Sequence, residues 1–322
     1  MTNFFGWVYE NANQYTGLFK NFWSFVRKLI LKMHPSASCR MQVHGLDMIL
    51  PLNHALPGYL ADLQFYDRLP ARLSKFIGDK CSVVNCIDVG ANVGDSIAAF
   101  KYGRQNNSND FYIAVEPNSY YAKYLNLNFS EQGVISLPLL CSNSEGTGFV
   151  NFKELNGTAS SSFNDCPLET GDETIKMTTI DSIVGFYGDG RNFNLLKTDT
   201  DGHDFDVISG AKSFIQKSLP FVLLEVDSFS DHQFLVNVRT TLNLFLKSGY
   251  SKLFVYDNQG YFLGLYEIVD TKSLERLLFY KLSKKFYYFD FLLMADEYVD
   301  EFLSSEREFY VGIAPELSLQ VQ

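Results

Sequence analysis

The sequence is poor in cysteine, with five among its 322 residues. They are Cys39, Cys81, Cys86, Cys141 and Cys166, and none belongs to a Cys-x-x-Cys pair or to a Cys/His spacing typical of zinc sites. An odd number of scattered cysteines is atypical of a disulfide framework and predicts reduced thiols in a reducing compartment. Cysteine therefore indicates neither a cross-link nor a metal site.

Long apolar runs and an excess of basic residues are also missing. No stretch approaches the roughly 18 uninterrupted apolar residues of a membrane-spanning helix. The 27 Lys and Arg residues against 37 Asp and Glu give a formal charge of −10, which argues against a polybasic nucleic-acid binder. Basic residues between Lys20 and Lys32 interrupt the apolar N-terminal segment, unlike the core of a secretory signal. We therefore expect a cytoplasmic protein without a nucleic-acid partner.

Apolar and aromatic residues are abundant. The chain is 46% apolar and has 29 Phe, 19 Tyr and 2 Trp, unlike a disordered segment. The length predicts one large α/β domain with additions. We predict an N-terminal amphipathic helical extension at residues 1–40, a connecting or lid region at 41–80, a main domain at 81–300 and a C-terminal tail at 301–322.

Residues 18–33 repeat apolar side chains at intervals of three and four, the spacing of a helical stripe. The stripe includes Phe19, Phe22 and Trp23, and the opposite side of the helix is basic. Such a helix packs on its own domain or on a second copy of the chain, or it lies on the inner face of an anionic membrane. We favour packing over peripheral membrane contact because packing is the usual fate of such stripes.

Short apolar runs alternate with helical stretches along the middle of the chain. The predicted strands are 83–88, 111–116, 134–140, 193–199 and 221–227, and the predicted helices are 96–102, 120–129 and 204–216. This alternation predicts parallel βαβ units and a doubly wound, Rossmann-like α/β sheet. Residues 143–178, rich in Ser, Asn, Gly and Thr, predict a loop with one added strand near 148–153.

The pattern changes on either side of this region. Further predicted elements are a hairpin at 41–50, a helix at 71–77, a helix at 234–247, a hairpin of 251–256 with 261–266, a helix at 271–282 and a strand at 286–295. We expect the last strand to run antiparallel near one edge of the mostly parallel sheet.

The exit of the first strand in the main domain carries a glycine-rich turn, Asp88-Val-Gly-Ala-Asn-Val-Gly94. Ligands of open α/β sheets bind at the carboxyl ends of strands, and Gly90 and Gly94 allow a sharp turn and close backbone approach. A nicotinamide or flavin fingerprint requires glycine where Asn92 stands, which argues against an oxidoreductase. Asp88 instead suits a cationic ammonium group such as that of S-adenosylmethionine.

The second strand ends in Val115-Glu-Pro-Asn118, which places Glu116 where a carboxylate can accept both ribose hydroxyls of an adenosine. The third strand's exit, Cys141–Ser144, is expected to flank the adenine. An ordinary strand-to-helix turn is the alternative explanation of the glycines alone. The residues predicted to contact the cofactor are Asp88, Gly90, Asn92, Gly94, Glu116, Asn118, Ser142 and Asp199.

Three more motifs follow these two segments: Thr178-Thr-Ile-Asp181, Lys197-Thr-Asp-Thr-Asp-Gly-His-Asp204 and Pro220-Phe-Val-Leu-Leu-Glu225. Together the five resemble the FkbM family of S-adenosylmethionine-dependent methyltransferases, over most of the chain. The resemblance implies a class I methyltransferase fold for residues 81–300 and methyl transfer to a sugar hydroxyl of a glycan or glycolipid. One departure is Asp201, because the family usually has Glu there.

Candidate catalytic residues follow the fourth strand: Lys197, Asp199, Asp201 and His203. Alternation along the strand is expected to direct the first three to one side. His203 is the first choice of general base because the ordinary pKa of histidine is near neutral; Asp201 is the alternative base, and capping a helix is the alternative role of His203. Asp199 is expected to hold the cofactor's methionine end or the acceptor. Lys197 either pairs with Asp199 or is a solvated charge.

Other features leave alternatives open. Asp199, Glu225 and Asp227 follow neighbouring strands and could bind Mg²⁺, but acids in such positions are common without a metal, so none is predicted. The other histidines are expected to be surface or core residues, and His54 is the one among them that lies where the resembling region could approach the cofactor. The hydroxyl-rich segment 157–162 suits a polar acceptor, but a flexible linker explains it equally well. The alternatives to a sugar hydroxyl are a secondary-metabolite hydroxyl, an amide nitrogen, or a cofactor-binding module without catalysis.

Overall fold

The computed structural model describes the backbone of residues 2–14, 17–130, 132–155, 158–164, 173–228, 233–284 and 287–320. Gly157 and Cys166, which are mentioned above, lie outside these ranges. The helices are α1 (Thr2–Gln14), α2 (Gly17–Met33), α3 (Leu56–Asp62), α4 (Arg68–Cys81), α5 (Asp95–Gly103), α6 (Ser119–Phe129), α7 (Ile180–Tyr187), α8 (Asp204–Ser209), α9 (Lys212–Ser218), α10 (Phe234–Ser248), α11 (Thr271–Leu282) and α12 (Asp296–Gln320).

The strands form three sheets within the described ranges. They are β1 (Ser38–Val43), β2 (Leu46–Pro51), β3 (Asn85–Val89), β4 (Phe111–Val115), β5 (Val134–Leu137), β6 (Leu140–Cys141), β7 (Gly146–Leu155), β8 (Thr158–Asn164), β9 (Glu173–Thr178), β10 (Leu195–Thr198), β11 (Phe221–Val226), β12 (Lys252–Asp257), β13 (Phe262–Glu267) and β14 (Phe289–Leu293).

The central sheet has eight strands in the described chain, in the order β13-β12-β14-β11-β10-β3-β4-β5. The strands from β11 to β5 are parallel, whereas β14 runs antiparallel to both β11 and β12. The chain enters at β3, proceeds outward to β5, and then returns to β10 on the other side of β3. The predicted doubly wound, mostly parallel sheet with an antiparallel C-terminal strand is confirmed.

Helices cover both faces of this sheet, which explains why its central strands are nearly continuous apolar runs. One face packs against α4, α5, α6 and α12 through residues such as Leu73, Phe100 and Phe302. The other packs against α7 to α11 through residues such as Ile208 and Phe245. All residues of β3, β10 and β11 are buried, so polar side chains on these strands lie inside the protein.

The predicted N-terminal helix and the hairpin that follows are confirmed as α2 and as β1 paired with β2. The α2 stripe packs on its own domain in part: Trp23, Val26 and Ile30 lie against the main core, whereas Phe19 and Phe22 are 68% and 56% exposed. Contact of the exposed part with a second copy or a membrane remains a prediction. An additional helix, α1, lies beside α2 and buries Val8 and Tyr9. The domain boundaries proposed from sequence remain predictions.

Residues 143–178 were predicted to form a loop with one strand, and this prediction is wrong. The structure places β7, β8 and β9 here, in a sheet with β6 in the order β6-β9-β7-β8. Its core is small, with Leu140, Val150, Ile175 and Met177 as the buried members. Backbone hydrogen bonds hold these strands in register, and the few apolar side chains left too weak a periodic pattern to predict them.

Two predicted elements end earlier than expected. The third strand of the main domain stops at Leu137, before Pro138, and residues 140–141 join the second sheet instead. The helix predicted over 204–216 is divided into α8 and α9 at Gly210. A Cβ atom on Gly210 would lie 2.1 Å from the carbonyl oxygen of Ser142, so this contact requires glycine.

The C-terminal segment at 301–322, predicted as a tail, belongs mostly to α12, which is joined to the sheet by a buried ion pair. Arg72 Nε and Nη2 donate to the two carboxylate oxygens of Glu306 at 2.6 and 2.8 Å. The hydroxyl of Tyr256 in β12 donates to the same carboxylate at 2.8 Å. Glu306 is 1% exposed, so α4, β12 and α12 meet at one buried charge.

We expect Arg72→Met to lower the free energy of unfolding by about 3 kcal/mol, because it leaves the buried Glu306 carboxylate without its counter-charge. Arg239→Met is the matched control: Arg239 bonds Glu275 at the same 2.6 Å, but both side chains are exposed. The control should cost under about 1 kcal/mol. Urea unfolding measures the free energy of unfolding of both variants. An equal loss in the two variants would mean that the buried ion pair contributes no more to stability than the exposed one.

Candidate cofactor and methyl-transfer site

The carboxyl ends of β3, β4, β10 and β11 lie at one edge of the sheet because these strands are parallel. Strand order reverses between β3 and β10, which is where open α/β sheets bind their ligands. Asp88 in β3 is fully buried there, and neither of its carboxylate oxygens has a hydrogen-bond partner. Burial raises the pKa of Asp88 to about 6. The nearest cation, Lys197 Nζ, is 3.6 Å from Oδ1, beyond hydrogen-bond distance, so the carboxylate retains acceptor capacity for an incoming ammonium group.

Lys197 is the positive charge beside Asp88. The two residues are register partners on β10 and β3, and Nζ lies 3.6 Å from Asp88 Oδ1. The same Nζ donates to Asp199 Oδ2 at 3.1 Å. Burial opposes the charge, but Asp199 and Asp88 raise the pKa of Lys197 above its usual value. Lys197 is 7% exposed, so of the two predicted alternatives it pairs with Asp199 and is not solvated.

The glycines of the first loop are required by close packing of the chain itself. Gly90 has φ +78°, and a Cβ atom there would lie 1.8 Å from the carbonyl oxygen of Asp199. Gly94 has φ +94°, and its Cβ would lie 2.4 Å from the Phe129 ring. The loop thus holds the β10 exit and α6 against the β3 exit. Direct approach of a ligand to these two glycines remains a prediction.

Glu116 joins the two cofactor loops. Its Oε2 accepts the backbone N–H of Asn92 at 2.8 Å, and its Oε1 accepts that of Asn118 at 2.7 Å. Asn118 also caps α6, since its Oδ1 accepts the N–H of Tyr120. Each Glu116 oxygen retains a further lone pair, so the carboxylate still fits two ribose hydroxyls. Burial raises the pKa of Glu116 to about 7, and the two N–H donors oppose this shift.

His54 contacts this arrangement, although it was not among the predicted site residues. Its Nδ1 accepts the N–H of Leu56 at 3.2 Å, which leaves the proton on Nε2, 3.2 Å from Asn92 Oδ1. Burial lowers the pKa of His54 to about 4, so the ring is neutral and donates to the amide. Asn92 needs this support because it has φ 47°, in the left-handed region. In the sequence, this role of His54 was indicated only by its position in the region that resembles the FkbM family.

Ser142 does not follow the third strand of the central sheet as predicted. It follows β6, its N–H donates to Thr178 O at 2.9 Å, and it is 7% exposed. The prediction failed because the strand from 134 to 140 was taken as continuous through Pro138. Contact of Ser142 with the adenine remains a prediction.

The chain leaves strand β10 earlier than the alternation predicted for residues 197–201 requires. The strand ends at Thr198, and Asp201 and Gly202 have φ 55° and 99°, so residues 197, 199 and 201 do not share one side of a continuous strand. Asp204 shapes this turn: its carboxylate accepts the Thr198 hydroxyl at 2.6 Å and the N–H of Gly202 at 3.3 Å.

His203 ends the turn as the N-cap residue of α8. Burial lowers its pKa, and Asp206 opposes this shift, so the neutral imidazole is favoured. Asp199 is different, since half of its side chain is exposed beside the buried Lys197. The exit thus combines a buried cation, an accessible carboxylate and a neutral imidazole.

The remaining acids at this edge are Asp227, which has a counter-charge, and Glu225, whose Oε2 has no hydrogen-bond partner. Asp227 binds Lys281 Nζ and also accepts the N–H of Ser228. Glu225 is 4% exposed and lies opposite Asp290 on β14. In the part of the chain that the structure describes, no group of three or more His, Cys, Asp or Glu side chains could hold a metal ion.

The Thr178–Asp181 motif has a structural role. The Asp181 carboxylate accepts the N–H groups of Ser213 and Phe214 at the start of α9. Thr179 Oγ1 accepts the N–H of Ser182 and caps α7. These bonds fix the starts of α7 and α9, two helices that contact each other.

Comparison with solved structures finds weak likenesses to methyltransferases. The FkbM methyltransferase of Methylobacillus flagellatus is 14% identical with a TM-score of 0.37, over 53% of this chain and 39% of that one. A putative O-methyltransferase from Klebsiella pneumoniae is 9% identical with a TM-score of 0.39, over 85% and 98% of the two chains. A putative caffeoyl-CoA O-methyltransferase from Staphylococcus aureus is 12% identical with a TM-score of 0.33, over 84% and 100%. No curated protein sequence matches the chain.

A doubly wound sheet with an acidic residue before its first glycine loop and another after its second strand is typical of S-adenosylmethionine-dependent methyltransferases. The model of the methyltransferase FkbM domain matches residues 88–256, more than half of the chain. The chain therefore belongs to the FkbM methyltransferase family. It is a methyltransferase of Rossmann-like, class I fold, and its cofactor is S-adenosylmethionine.

We expect cofactor affinity to rise between about pH 5 and pH 8, because the ionised forms of Asp88 and Glu116 accept the ammonium and ribose donors. Glu116→Gln should weaken binding about tenfold or more at pH 8 and flatten the upper part of this dependence. Calorimetric titration with S-adenosylhomocysteine at several pH values measures both effects. Equal affinity at the two ends of the range would mean that these carboxylates do not contact the cofactor.

We expect His54→Phe to weaken binding of the same compound by about three- to tenfold, since it removes the donor to Asn92 while keeping an aromatic ring beside Tyr121. His34→Phe is the control because His34 is exposed outside the site. The measurement is calorimetric affinity together with the melting temperature. Unchanged affinity would show that Glu116 alone is sufficient to position Asn92.

Proposed function

We propose that the protein transfers a methyl group to a sugar hydroxyl of a glycan or glycolipid. The observation that carries this proposal is Asp199, whose half-exposed carboxylate is held by the buried Lys197 beside the first cofactor loop. An accessible carboxylate is a hydrogen-bond acceptor for an acceptor hydroxyl. The sugar class itself comes from the family resemblance.

Methyl transfer to a hydroxyl requires alignment of the acceptor and removal of its proton. S-adenosylmethionine, when bound, supplies an electrophilic methyl group on a sulfonium. Asp88 and Glu116 are proposed to bind its ammonium and ribose groups. Asp199 orients the acceptor, and the hydrogen bond from Lys197 Nζ holds the Asp199 carboxylate in place.

The proposed general base is His203. Its pKa is lowered by burial, so the neutral form that accepts a proton is available at neutral pH. Asp201, in the left-handed turn two residues earlier, is the alternative base. Both residues lie on the turn that Asp204 holds.

The cytoplasm is the proposed location. Residues 18–33 are proposed to contact either the inner membrane face or a second copy of the chain, since their aromatic side chains are exposed. Among the described helices, none has the length and apolar character needed to cross a bilayer.

We expect His203→Ala to reduce turnover by about 100-fold or more while leaving the affinity for S-adenosylhomocysteine near that of the unmodified chain. The assay is transfer of a labelled methyl group from S-adenosylmethionine to bacterial glycan and glycolipid fractions. Asp201→Asn is the matched variant, because it tests the alternative base on the same turn.

Each outcome has a defined meaning. Full activity of His203→Ala with loss in Asp201→Asn would assign the base to Asp201. Label in a small secondary metabolite or an amide would replace the sugar as acceptor. Cofactor binding without transfer to any fraction would favour a cofactor-binding module.

A further inference from the structure

An exposed aromatic surface covers the outer side of α1 and α2. Its members, here called the N-terminal aromatic face, are Phe4, Trp7, Phe19, Phe22 and Phe25, each between 48% and 68% exposed. Ring contacts connect Phe4, Trp7 and Phe22 of this face through Trp23: the centroid distances are 6.1 Å for Phe4 and Trp7, 4.8 Å for Trp7 and Trp23, and 5.2 Å for Trp23 and Phe22. Single exposed aromatics are ordinary, but a contiguous group marks an interaction site.

The inner side of the same helices is already occupied. Val8, Tyr9 and Ile30 are buried in the main core. Arg27 lies over the Tyr9 ring at 3.8 Å and donates to the carbonyl oxygen of Leu52 at 3.0 Å. The helices are therefore held on the domain with the aromatic face outward, where it is accessible to a partner.

Charge indicates which partner this is. Residues 1–33 contain four basic side chains and one acid, a formal charge of +3, whereas the chain total of −10 leaves −13 for the rest. Lys28 and Lys32 are exposed on α2. A symmetric contact with a second copy would bring two positive surfaces together, which is unfavourable. An anionic surface complements them.

We propose that the N-terminal aromatic face docks on an anionic lipid bilayer. Its rings enter the headgroup region while Lys28 and Lys32 meet lipid phosphates, as in other interfacial amphipathic helices. Trp suits this boundary because its ring is apolar but has an N–H group, and Phe adds apolar surface on the same side.

Docking would also orient the site. Tyr9 in α1 donates its hydroxyl to the carbonyl oxygen of His54, and His54 contacts Asn92 in the first cofactor loop. The helices that would meet the bilayer therefore contact the segment that supports this loop. If the acceptor is a glycolipid, a point that rests on the proposed function, docking brings enzyme and substrate to the same surface.

The test is flotation of the full chain with vesicles of phosphatidylcholine alone or mixed with phosphatidylglycerol. We expect binding to the mixed vesicles, release at high salt, and a loss of more than about tenfold in bound protein for the double variant Phe19→Ser, Phe22→Ser. Lys28→Glu with Lys32→Glu should remove the preference for phosphatidylglycerol. Phe186→Ser is the matched control: Phe186 is 85% exposed on α7, outside the N-terminal aromatic face, and its replacement should not change vesicle binding.

Affinity for S-adenosylhomocysteine shows that each variant is folded. Absence of binding to mixed vesicles, or equal binding by the Phe19, Phe22 variant, would overturn the proposal. Sedimentation tests whether the face instead contacts a second copy of the chain. If the unmodified chain is a dimer that does not bind vesicles, and the Phe19, Phe22 variant is a monomer, the face would be assigned to a second copy. Either result leaves methyl transfer to a soluble glycan untouched.

Discussion

The site is organised around Lys197, a buried ammonium between two carboxylates on the central sheet. It lies beside Asp88 across the β3–β10 register and donates to Asp199 just beyond the strand end. Removing one partner of a buried ion pair costs about 3–5 kcal/mol, because the other charge is left without compensation. The pairing therefore links the two strands between which the order reverses. It also leaves Asp199 half exposed at the sheet edge where the strand order reverses.

Around this pair, acidic side chains shape loops by accepting backbone N–H groups. Glu116 joins Asn92 to Asn118, Asp204 holds the turn after β10, and Asp181 caps α9. A carboxylate that binds several N–H donors fixes a loop more rigidly than apolar contact does, since each bond has a preferred direction. Part of the chain's negative charge thus builds the site before any cofactor is bound.

The order of strands and helices in the main domain was predictable, because apolar runs buried on both faces repeat at regular intervals between 83 and 227. The two glycines and the acids Asp88 and Glu116 were also visible as motifs. The sheet at 140–178 was not predictable, since its strands have few apolar residues and depend on backbone pairing. The role of His54 was hidden for a related reason, because its partner Asn92 lies on a distant segment. Asp204 bonds within its own turn, and the strand pattern did not show where that turn begins.

Sequence by itself therefore determined the class of fold, the family and the positions of the two loops proposed to bind the cofactor, because these depend on local periodicity and on residue types at short spacing. Only the tertiary structure decided that Lys197 is a buried counter-charge, that His54 supports Asn92, and that Phe19 and Phe22 of the α2 stripe are exposed. Each of these depends on which distant segments meet, which is a consequence of packing the whole chain around one sheet.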